Sequence, residues 1–378
     1  MLALIFNVGS LFAGFIIALN VWVFGIANWV VIAYPGVMSV RGAVAGLASG
    51  HLSTGLNLGT IRPGFRGNTR DFYALIGGIM LSSLIGGIVL SLALAIVASY
   101  AGLLVAGEAV FPIMFVLSVL MLTSIITFPF SAFVGFQSFK KGLDPDYIVY
   151  PVMSSTADIL VTAIYVLTLF IYNASPNTFL IYSTALLLAY IGVMFFLIRR
   201  RIHETLELLK EAILMLVIVA VIVHIAGFSL EGIYREIGSY PGVYMVYPAL
   251  LSTAGDVGSI LGSRATTKLA LGEIKATPIS MAGMLPEFLA VWLSSLTMYS
   301  TFGFLAGITM GVELLPWLLE KILIVNLLAI PMTAFMSFLI AIGAALRGWN
   351  PDSFVNPIES AMADALTALI LYAVLTIV

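Results

Sequence analysis

Two stretches of the chain, residues 144–158 and 350–364, repeat each other, and both end on an aspartate. Seven of the fifteen aligned positions are identical, and each stretch opens a long apolar segment. Asp158 and Asp364 are therefore expected at membrane depth, where ionisable side chains are costly and mark functional sites. The doubled aspartate predicts a membrane fold built twice around one kind of polar site, which we interpret as part of a cation pathway.

The composition excludes several classes of protein. Of the 378 residues, 61% are hydrophobic and 9% are charged, whereas a soluble domain carries about 25% charged residues. The apolar runs are of helical length, about 20 residues, and do not alternate with polar residues, which excludes a transmembrane β-barrel. The lack of cysteine excludes disulfides and thiolate metal sites. A net charge of −2 gives no support for nucleic-acid binding.

Hydropathy predicts eleven apolar segments, and hence an all-α integral membrane protein with eleven transmembrane helices. The second and eighth segments are short, rich in glycine and begin at Tyr-Pro, which is typical of broken or closely packed helices near transport sites. The predicted segments are 2–31, 35–50, 72–102, 108–138, 147–173, 178–198, 205–229, 246–262, 279–308, 314–346 and 354–378.

The basic residues predict how the chain is oriented. If every segment spans once, thirteen lysines and arginines fall on one side, and only Arg235 falls clearly on the other. The positive-inside rule then places the N-terminus in the cytoplasm and the C-terminus outside the cell membrane. The thirteen are Arg62, Arg66, Arg70, Lys140, Lys141, Arg199, Arg200, Arg201, Lys210, Arg264, Lys268, Lys275 and Arg347.

The internal repeat extends beyond the aspartate motif. Residues 34–61 align with 247–274, with ten identities in 28 positions. Together the alignments predict two five-helix repeats, 1–174 and 204–378, joined by a linking transmembrane helix at 175–203. Because five is odd, the linking helix is needed to make the repeats parallel, related by a pseudo-twofold axis along the membrane normal. Such a fused pair needs no second copy, so we expect a functional monomer with its pathway on the axis.

Residues that are identical in the two repeats form a stripe on a helix. Pro151, Ser154 and Asp158 are spaced i, i+3 and i+7, so they share one face. Asp158 lies about 16 Å along its segment at 1.5 Å per residue, near the middle of a core about 30 Å thick. Because proline removes a backbone donor, Pro151 leaves a carbonyl free to face water or a hydrated ion. The same spacing recurs at Pro357, Ser360 and Asp364.

Pseudo-symmetry is expected to place the two aspartates opposite each other. Two nearby carboxylates repel, and one protonates unless a cation lies between them. Mg²⁺ suits this arrangement because it keeps most of its water and needs only one or two carboxylates. Carboxylates alone do not distinguish Mg²⁺ from Mn²⁺ or Co²⁺. The alternative is that each aspartate caps a helix or forms hydrogen bonds inside the bundle.

The eighth segment and the residues after it, from Pro248 to Gly272, contain a proline, then Gly-Asp, then an arginine before Leu-Ala-Leu-Gly. This run resembles the motif of the MgtE family of magnesium channels, which has Gly-Gly-Asn after the proline. The first copy, His-Leu-Ser-Thr-Gly-Leu-Asn-Leu-Gly at 51–59, is similar to the related eukaryotic solute carrier family forty-one. The Gly-Leu-Asp-Pro-Asp loop at 142–146 also resembles the start of the last helix in these families.

The resemblance implies five-helix units that are paired about a twofold axis and conduct Mg²⁺ as a hydrated ion. It implies that Asp158 and Asp364 are the central ion-binding residues. It also aligns the family's pore-lining asparagine with Asp256 in the second repeat and with Ala43 in the first. Both of these residues depart from the family pattern.

Two charged residues make the predicted pathway asymmetric. Asp256 adds a carboxylate to one repeat, while Arg41, which aligns with Ala254, adds a guanidinium to the other. We hypothesise that Arg41 pairs with an acid near the pathway, with Asp256 as the first choice. The alternative is that Arg41 extends toward a membrane interface.

Two glutamates are further candidates. Glu359 lies five residues before Asp364, about 140° around the helix, where it would face the adjacent helix or the outer pore. Glu287 follows Pro286 and is a candidate for the pathway entrance. A structural role is the alternative for both. The predicted metal ligands are Asp158, Asp364, Asp256, Ser154, Ser360 and Glu359, and the other predicted pathway residues are Arg41, Ala43, Pro151, Pro357 and Glu287.

The sequence therefore predicts Mg²⁺ permeation, either through a channel or by exchange coupled to Na⁺ or H⁺. Intramembrane aspartyl proteases use two dissimilar aspartate motifs, whereas both motifs here are Ala-Asp, so no enzymatic activity is expected. A transporter of an anionic or organic solute would use Arg41 as its binding charge. The excess of acids over bases in the pathway disfavours that class. The expected partners are membrane lipid and the transported ion.

Overall fold

The structure, a computed structural model, describes residues 2–5, 7–104, 107–142, 145–198, 202–238, 240–347 and 351–377. Within some helices only the backbone is described, and the longest such stretches are 145–153, 202–208 and 351–357. All regular secondary structure in this part of the chain is helical, as predicted.

Eleven helices of 12 or more residues follow a four-residue helix in the described ranges. Nine helical spans are long and apolar enough to cross a membrane, so the chain is a multi-pass membrane protein. Two of the eleven helices are not among these nine spans. Helix α2 has only 12 residues, and α9 is the least apolar of the eleven. The helices are α1 (Leu2–Ile5), α2 (Val8–Leu19), α3 (Asn28–Asn57), α4 (Arg70–Tyr100), α5 (Val110–Lys140), α6 (Pro145–Ala174), α7 (Pro176–Ile198), α8 (Ile202–Ile237), α9 (Pro241–Ala270), α10 (Leu285–Met310), α11 (Leu315–Arg347) and α12 (Pro351–Ile377).

The predicted first segment, 2–31, is not one helix. It contains α1, α2, a 3₁₀ helix at Val21–Gly25 and the beginning of α3. Asn7 lies just before α2, and Asn20 follows its last residue and donates its side-chain amide to the Ile16 carbonyl at 2.8 Å. Asparagine side chains compete for backbone hydrogen bonds and therefore favour helix ends over helix interiors.

The second and eighth segments are not short. They correspond to α3 and α9, which have 30 residues each, and Pro35 and Pro248 lie inside these helices without ending them. A proline removes a single intrahelical hydrogen bond, and packing against neighbouring helices allows the helix to continue in a membrane protein.

The chain packs into two compact units, and we call the first, Gly25–Val221, the central unit. It contains α3 to α7 and the first part of α8. Helix α3 packs against α4, α5 and α6. The ring centroid of Tyr165 lies 4.8 Å from that of Phe115 and 5.2 Å from that of Tyr34, which ties α3, α5 and α6 together. Helix α7, the predicted linking helix, leaves apolar side chains such as Ile181 exposed, as suits contact with lipid.

The second unit, which we call the terminal unit, consists of Met1–Phe24 and Ile222–Val378. Its organising element is α9, which packs against α2, α10, α11 and α12. Helix α2 approaches α9 closely at Gly14, where an added Cβ would lie 1.9 Å from the backbone oxygen of Met245. Small residues at helix crossings allow backbones to approach in this way.

The two units do not coincide with the predicted repeats. Helix α2 lies in the sequence range of the first repeat, 1–174, but packs in the terminal unit, and α8 contributes to both units. Packing and internal sequence similarity are different criteria, because a helix packs where its small or apolar face fits. The boundaries of 1–174, 175–203 and 204–378 therefore stay a prediction.

Candidate cation site

A buried ion pair joins α3 to α6 in the central unit. Nη2 of Arg41 contacts Oδ1 of Asp158, and the two side chains are 7% and 3% exposed. Removing a charge from water is costly, and an opposite charge in direct contact offsets much of that cost. Arg41 therefore supplies a positive group in direct contact with the buried Asp158 side chain.

Two further polar contacts lie within about three helical turns of the ion pair. The hydroxyls of Tyr34 and Thr162 are 2.9 Å apart, and the Tyr165 hydroxyl donates to the backbone oxygen of Val30. All of these contacts join α3 to α6. Because they are buried, they hold the two antiparallel helices in one register and so fix the position of the carboxylate.

The hypothesis that Arg41 pairs with Asp256 is wrong about the partner. The structure pairs Arg41 with Asp158, and Asp256 accepts a hydrogen bond from Asn7. The physical reason is that α3 and α6 pack side by side in the same unit, so the guanidinium reaches the carboxylate on its neighbouring helix. Sequence spacing places Arg41 on a helix face but does not say which helix that face meets.

A small cavity lies beside this ion pair, between α3, α4 and α5. It offers about 20 Å³ to water centres, enough for one water molecule. The Nε and Nη1 atoms of Arg41 have no hydrogen-bond partner among the described residues. The cavity wall supplies hydroxyl groups that are able to accept from a guanidinium. Its polar lining residues are Arg41, Ser83, Ser124, Thr127 and Ser131.

In the terminal unit, α9 and α12 bring three predicted ligands onto one pair of packed helices. Asp364 on α12 is 9% exposed. About one turn earlier, the Oγ atom of Ser360 lies 3.1 Å from the position that a Cβ on Gly255 of α9 would take. Asp256 is the next residue on α9, so a carboxylate on each helix lies near this contact.

Asp256, aligned with the asparagine of the family motif, is held by an amide. The Nδ2 atom of Asn7 donates to Oδ2 of Asp256 at 2.9 Å and to Oγ1 of Thr253 at 3.2 Å. Asn7 is 2% exposed. Sequence reasoning missed Asn7, and the available signal was a lone amide in an otherwise apolar run.

Glu359 lies on α12 against α9 and is 1% exposed. A Cβ added to Gly262 would lie 2.6 Å from its Oε2 and 2.8 Å from its Oε1. Neither oxygen has a hydrogen-bond partner among the described residues. Its role as a metal ligand stays a prediction.

Glu287 lies in the first turn of α10 and pairs with Lys268 on α9. The distance between Nζ and Oε1 is 2.6 Å, and the side chains are 23% exposed for Lys268 and 18% for Glu287. A partly exposed pair contributes little to stability. The predicted place of Glu287 at the pathway entrance is not tested by this contact.

The other predicted residues lie on the same helices. Ala43 is buried on α3, and Ser154 is partly exposed one turn before Asp158 on α6. Pro151 and Pro357 fall within α6 and α12, but their side chains lie outside the described residues.

The site is sparse in metal ligands. Among the described residues there is no group of three or more His, Cys, Asp or Glu side chains that would hold a metal ion. The donors that the described residues offer include the carboxylates of Asp158, Asp256 and Asp364 and the hydroxyl of Ser360. This set suits a cation that keeps its own water, because Mg²⁺ is often bound through one or two carboxylates.

Comparison with known proteins identifies the family. A model of the MgtE family, described as divalent cation transporters, matches residues 34–168 and 247–374, which together cover more than half of the chain. The first range lies in α3 to α6 and the second in α9 to α12. No curated protein and no solved structure matches the chain. The resemblance seen in the sequence is confirmed, and the chain belongs to the MgtE family of divalent cation transporters, with the family's match occurring twice.

Proposed function

We propose that the protein moves Mg²⁺ across the cell membrane, with Asp158 and Asp364 as the carboxylates that hold the hydrated ion. The observation that supports this most is the burial of both copies of the repeated aspartate, at 2% and 9% exposed. A buried carboxylate at membrane depth requires a positive partner or a polar pathway. In a family of divalent cation transporters, the transported ion is such a partner.

Mg²⁺ is the proposed cargo because the described residues offer carboxylates without a cluster of three or more ligands. A hard ion that stays hydrated needs only one or two carboxylates, whereas Ca²⁺ takes six to eight oxygen ligands. Mn²⁺ and Co²⁺ bind similar donors, so they are the expected competitors. Competition by these ions during Mg²⁺ uptake measures the selectivity directly.

Further residues complete the proposed pathway. Asp256, Ser154 and Ser360 contribute oxygen atoms to the ion or to its water shell. Pro151 and Pro357 leave carbonyls free to face hydrated ions. The internal repeat supports a pathway on a pseudo-twofold axis within one chain, so that the monomer is the functional form.

The charged residues indicate where the proposed pathway begins and how the chain is oriented in the membrane. Glu287 would attract cations at the entrance, and Ala43 leaves the first repeat without the side-chain oxygen that Asp256 supplies to the second. The distribution of basic residues supports a cytoplasmic N-terminus and an extracytoplasmic C-terminus.

Arg41 acts in this proposal as an internal counter-ion for Asp158. It neutralises the carboxylate while no ion is bound, and an arriving cation displaces it. The neighbouring cavity provides hydroxyl acceptors for the displaced guanidinium. The second repeat has Ala254 at the aligned position, so only one repeat carries this counter-ion.

Mg²⁺ uptake into proteoliposomes tests the proposal. Asp158→Asn and Asp364→Asn keep the shape of the side chain and remove its charge, and each is expected to lower uptake by at least about tenfold, as loss of a metal-site interaction does. Glu320→Gln is the matched control, because its carboxylate on α11 is 61% exposed. Unchanged uptake in both aspartate variants would contradict the proposal.

A further inference from the structure

The Glu359 carboxylate is buried without a partner in the described part of the chain. It is 1% exposed, and neither oxygen takes part in a hydrogen bond there. An isolated ionised carboxylate in an apolar environment is strongly disfavoured. Something outside the described side chains must therefore neutralise or solvate it.

Two hydroxyls next to Glu359 are also unpaired. Thr333 and Ser337 lie one turn apart on α11 and are 2% and 0% exposed. Their hydroxyl oxygens have no hydrogen-bond partner among the described residues. Ser337 lies close to the carboxylate, but its hydroxyl is not in hydrogen-bonding geometry. Unpaired buried polar groups are uncommon and call for a ligand or water.

A glycine face on α9 brings these three side chains together. A Cβ added to Gly258 would lie 2.9 Å from Oγ of Ser337 and 3.2 Å from Cγ of Glu359. The Cγ2 atom of Thr333 is 3.1 Å from the same position. A Cβ on Gly262 would meet the Glu359 carboxylate itself, at 2.6 Å. The two glycines thus leave room on α9 for the Ser337 hydroxyl and the Glu359 carboxylate, while Thr333 turns its methyl group toward Gly258.

The helices packed against Glu359 supply no cationic side chain to it within the described residues. On α9, Arg264 is exposed and Lys268 pairs with Glu287. On α11, Lys321 pairs with Glu320 and lies more than three turns from Thr333. The buried charge is therefore available to a small ion.

We propose that Glu359 and Ser337, with Thr333 packed beside them, form a second cation site, which binds a monovalent ion of the sodium class. The Glu359 carboxylate and the Ser337 hydroxyl provide an oxygen set with a single negative charge. A monovalent cation neutralises that charge, whereas a divalent ion would leave a net positive charge in a dry site. Mg²⁺ also gives up its water reluctantly, which disfavours it in a cradle this closely packed.

The site belongs to the terminal unit alone. Glu359 aligns with Met153 in the first repeat, which has no charge. A monovalent site five residues from Asp364 on the same helix would allow the two cations of a coupled exchange to influence each other. The binding site stands on its own geometry, and only this coupling rests on the proposed function.

Sodium binding to the full chain in nanodiscs tests the site. The probes are radioactive sodium binding and the shift of Tm when Na⁺ replaces choline at constant ionic strength. The wild type is expected to bind sodium and to be stabilised by it. Glu359→Gln keeps the shape of the side chain and is expected to weaken sodium binding by at least about tenfold.

The controls separate a site from a general salt effect. Ser337→Ala is expected to weaken sodium binding as well, whereas Glu320→Gln, at an exposed position on α11, is expected to bind as the wild type does. Equal sodium affinity in the wild type and Glu359→Gln would overturn the proposal. So would a Tm that responds only to pH, because Glu359 would then be neutralised by a proton.

Flux measurements separate this inference from the proposed function. In proteoliposomes, an outward sodium gradient is expected to change Mg²⁺ uptake in the wild type by about fivefold or more, and not in Glu359→Gln. No Mg²⁺ uptake under any gradient would overturn the proposed function while leaving the sodium site to the binding assay. Mg²⁺ uptake that does not change with the sodium gradient would overturn only the coupling between the two ions.

Discussion

The two units hold their buried acids in different ways. In the central unit, Asp158 is in contact with the guanidinium of Arg41. In the terminal unit, Asp256 accepts from the neutral amide of Asn7, and Glu359 lies against a glycine face of α9. One unit thus places a guanidinium against Asp158, and the other places an amide against Asp256 and a glycine face against Glu359.

This difference shows that two copies of a duplicated sequence can surround their acids with different groups. An internal ion pair needs no bound ion, so the contact between Arg41 and Asp158 does not depend on a cation. In the terminal unit, the Asn7 amide gives Asp256 a hydrogen bond and adds no charge of its own. Both copies lie in one chain, so each is free to carry its own substitutions, which a symmetric homodimer does not allow.

Breaking the ion pair of the central unit has the largest expected effect. Arg41→Ala leaves Asp158 as an uncompensated buried charge, and the free energy of unfolding should fall by about 3–5 kcal/mol. Thermal unfolding in detergent measures this loss. Arg235→Ala is the control, because Arg235 is 61% exposed in its pair with Glu231 and should cost about 0–1 kcal/mol. Equal losses in the two variants would contradict the comparison.

Removing the amide of Asn7, which donates to Asp256, has the second largest expected effect. Asn7→Ala deletes a hydrogen bond to a charged group, which should cost about 1.5–3 kcal/mol in the free energy of unfolding. Denaturation of the purified protein provides the measurement. Asn20→Ala removes only a local bond to the Ile16 carbonyl and should cost about 1 kcal/mol or less. A larger loss in Asn20→Ala than in Asn7→Ala would show that Asp256 does not depend on Asn7.

Adding a methyl group to the glycine face of α9 tests how closely the terminal unit packs around Glu359. Gly262→Ala places a methyl group against the Glu359 carboxylate, and such overpacking costs about 1–3 kcal/mol. Gly50→Ala in α3 is the matched control, because no atom lies within 4 Å of the added Cβ. That change should stabilise the helix by about 0.5–1 kcal/mol. Opposite signs in unfolding assays are expected, and the same sign would count against the described packing.

The smallest expected effect comes from the hydroxyl contact between α3 and α6. Tyr34→Phe removes the hydrogen bond to Thr162 and should lower the free energy of unfolding by about 0.5–1.5 kcal/mol. Tyr100→Phe, at a position that is 91% exposed, should leave it unchanged. No difference in Tm between these two variants would show that this contact does not support the ion pair.

The fold class and the family were predictable because both depend on local patterns. Runs of apolar residues of membrane-spanning length identify helices without knowledge of their neighbours. The doubled motif ending at Asp158 and Asp364 was visible as a repeat, and both residues are indeed buried. The prediction of one helix over the first segment was wrong: α2 ends at Leu19, and the Asn20 side chain donates to the Ile16 carbonyl there.

The partners of the polar residues were not predictable in the same way. Helical spacing showed which residues share a face with Asp158, but it did not show that α3 meets that helix through Arg41. The same limit hid Asn7, which lies far from Asp256 in sequence and contacts it in space. Thr333 and Ser337 carried no signal, since hydroxyls in membrane helices commonly bond their own backbone.

The sequence by itself determined that the chain is helical, crosses the membrane many times, repeats internally and buries an aspartate in each repeat. These properties follow from the composition, the length of the apolar runs and the internal repeat, none of which depends on which helices pack together. Only the tertiary structure decided that Asp158 contacts Arg41, while Glu359 lies with Ser337 on a glycine face. The physical reason is that a buried charge is stabilised by whatever group packs within about 4 Å of it, and helix packing chooses that group.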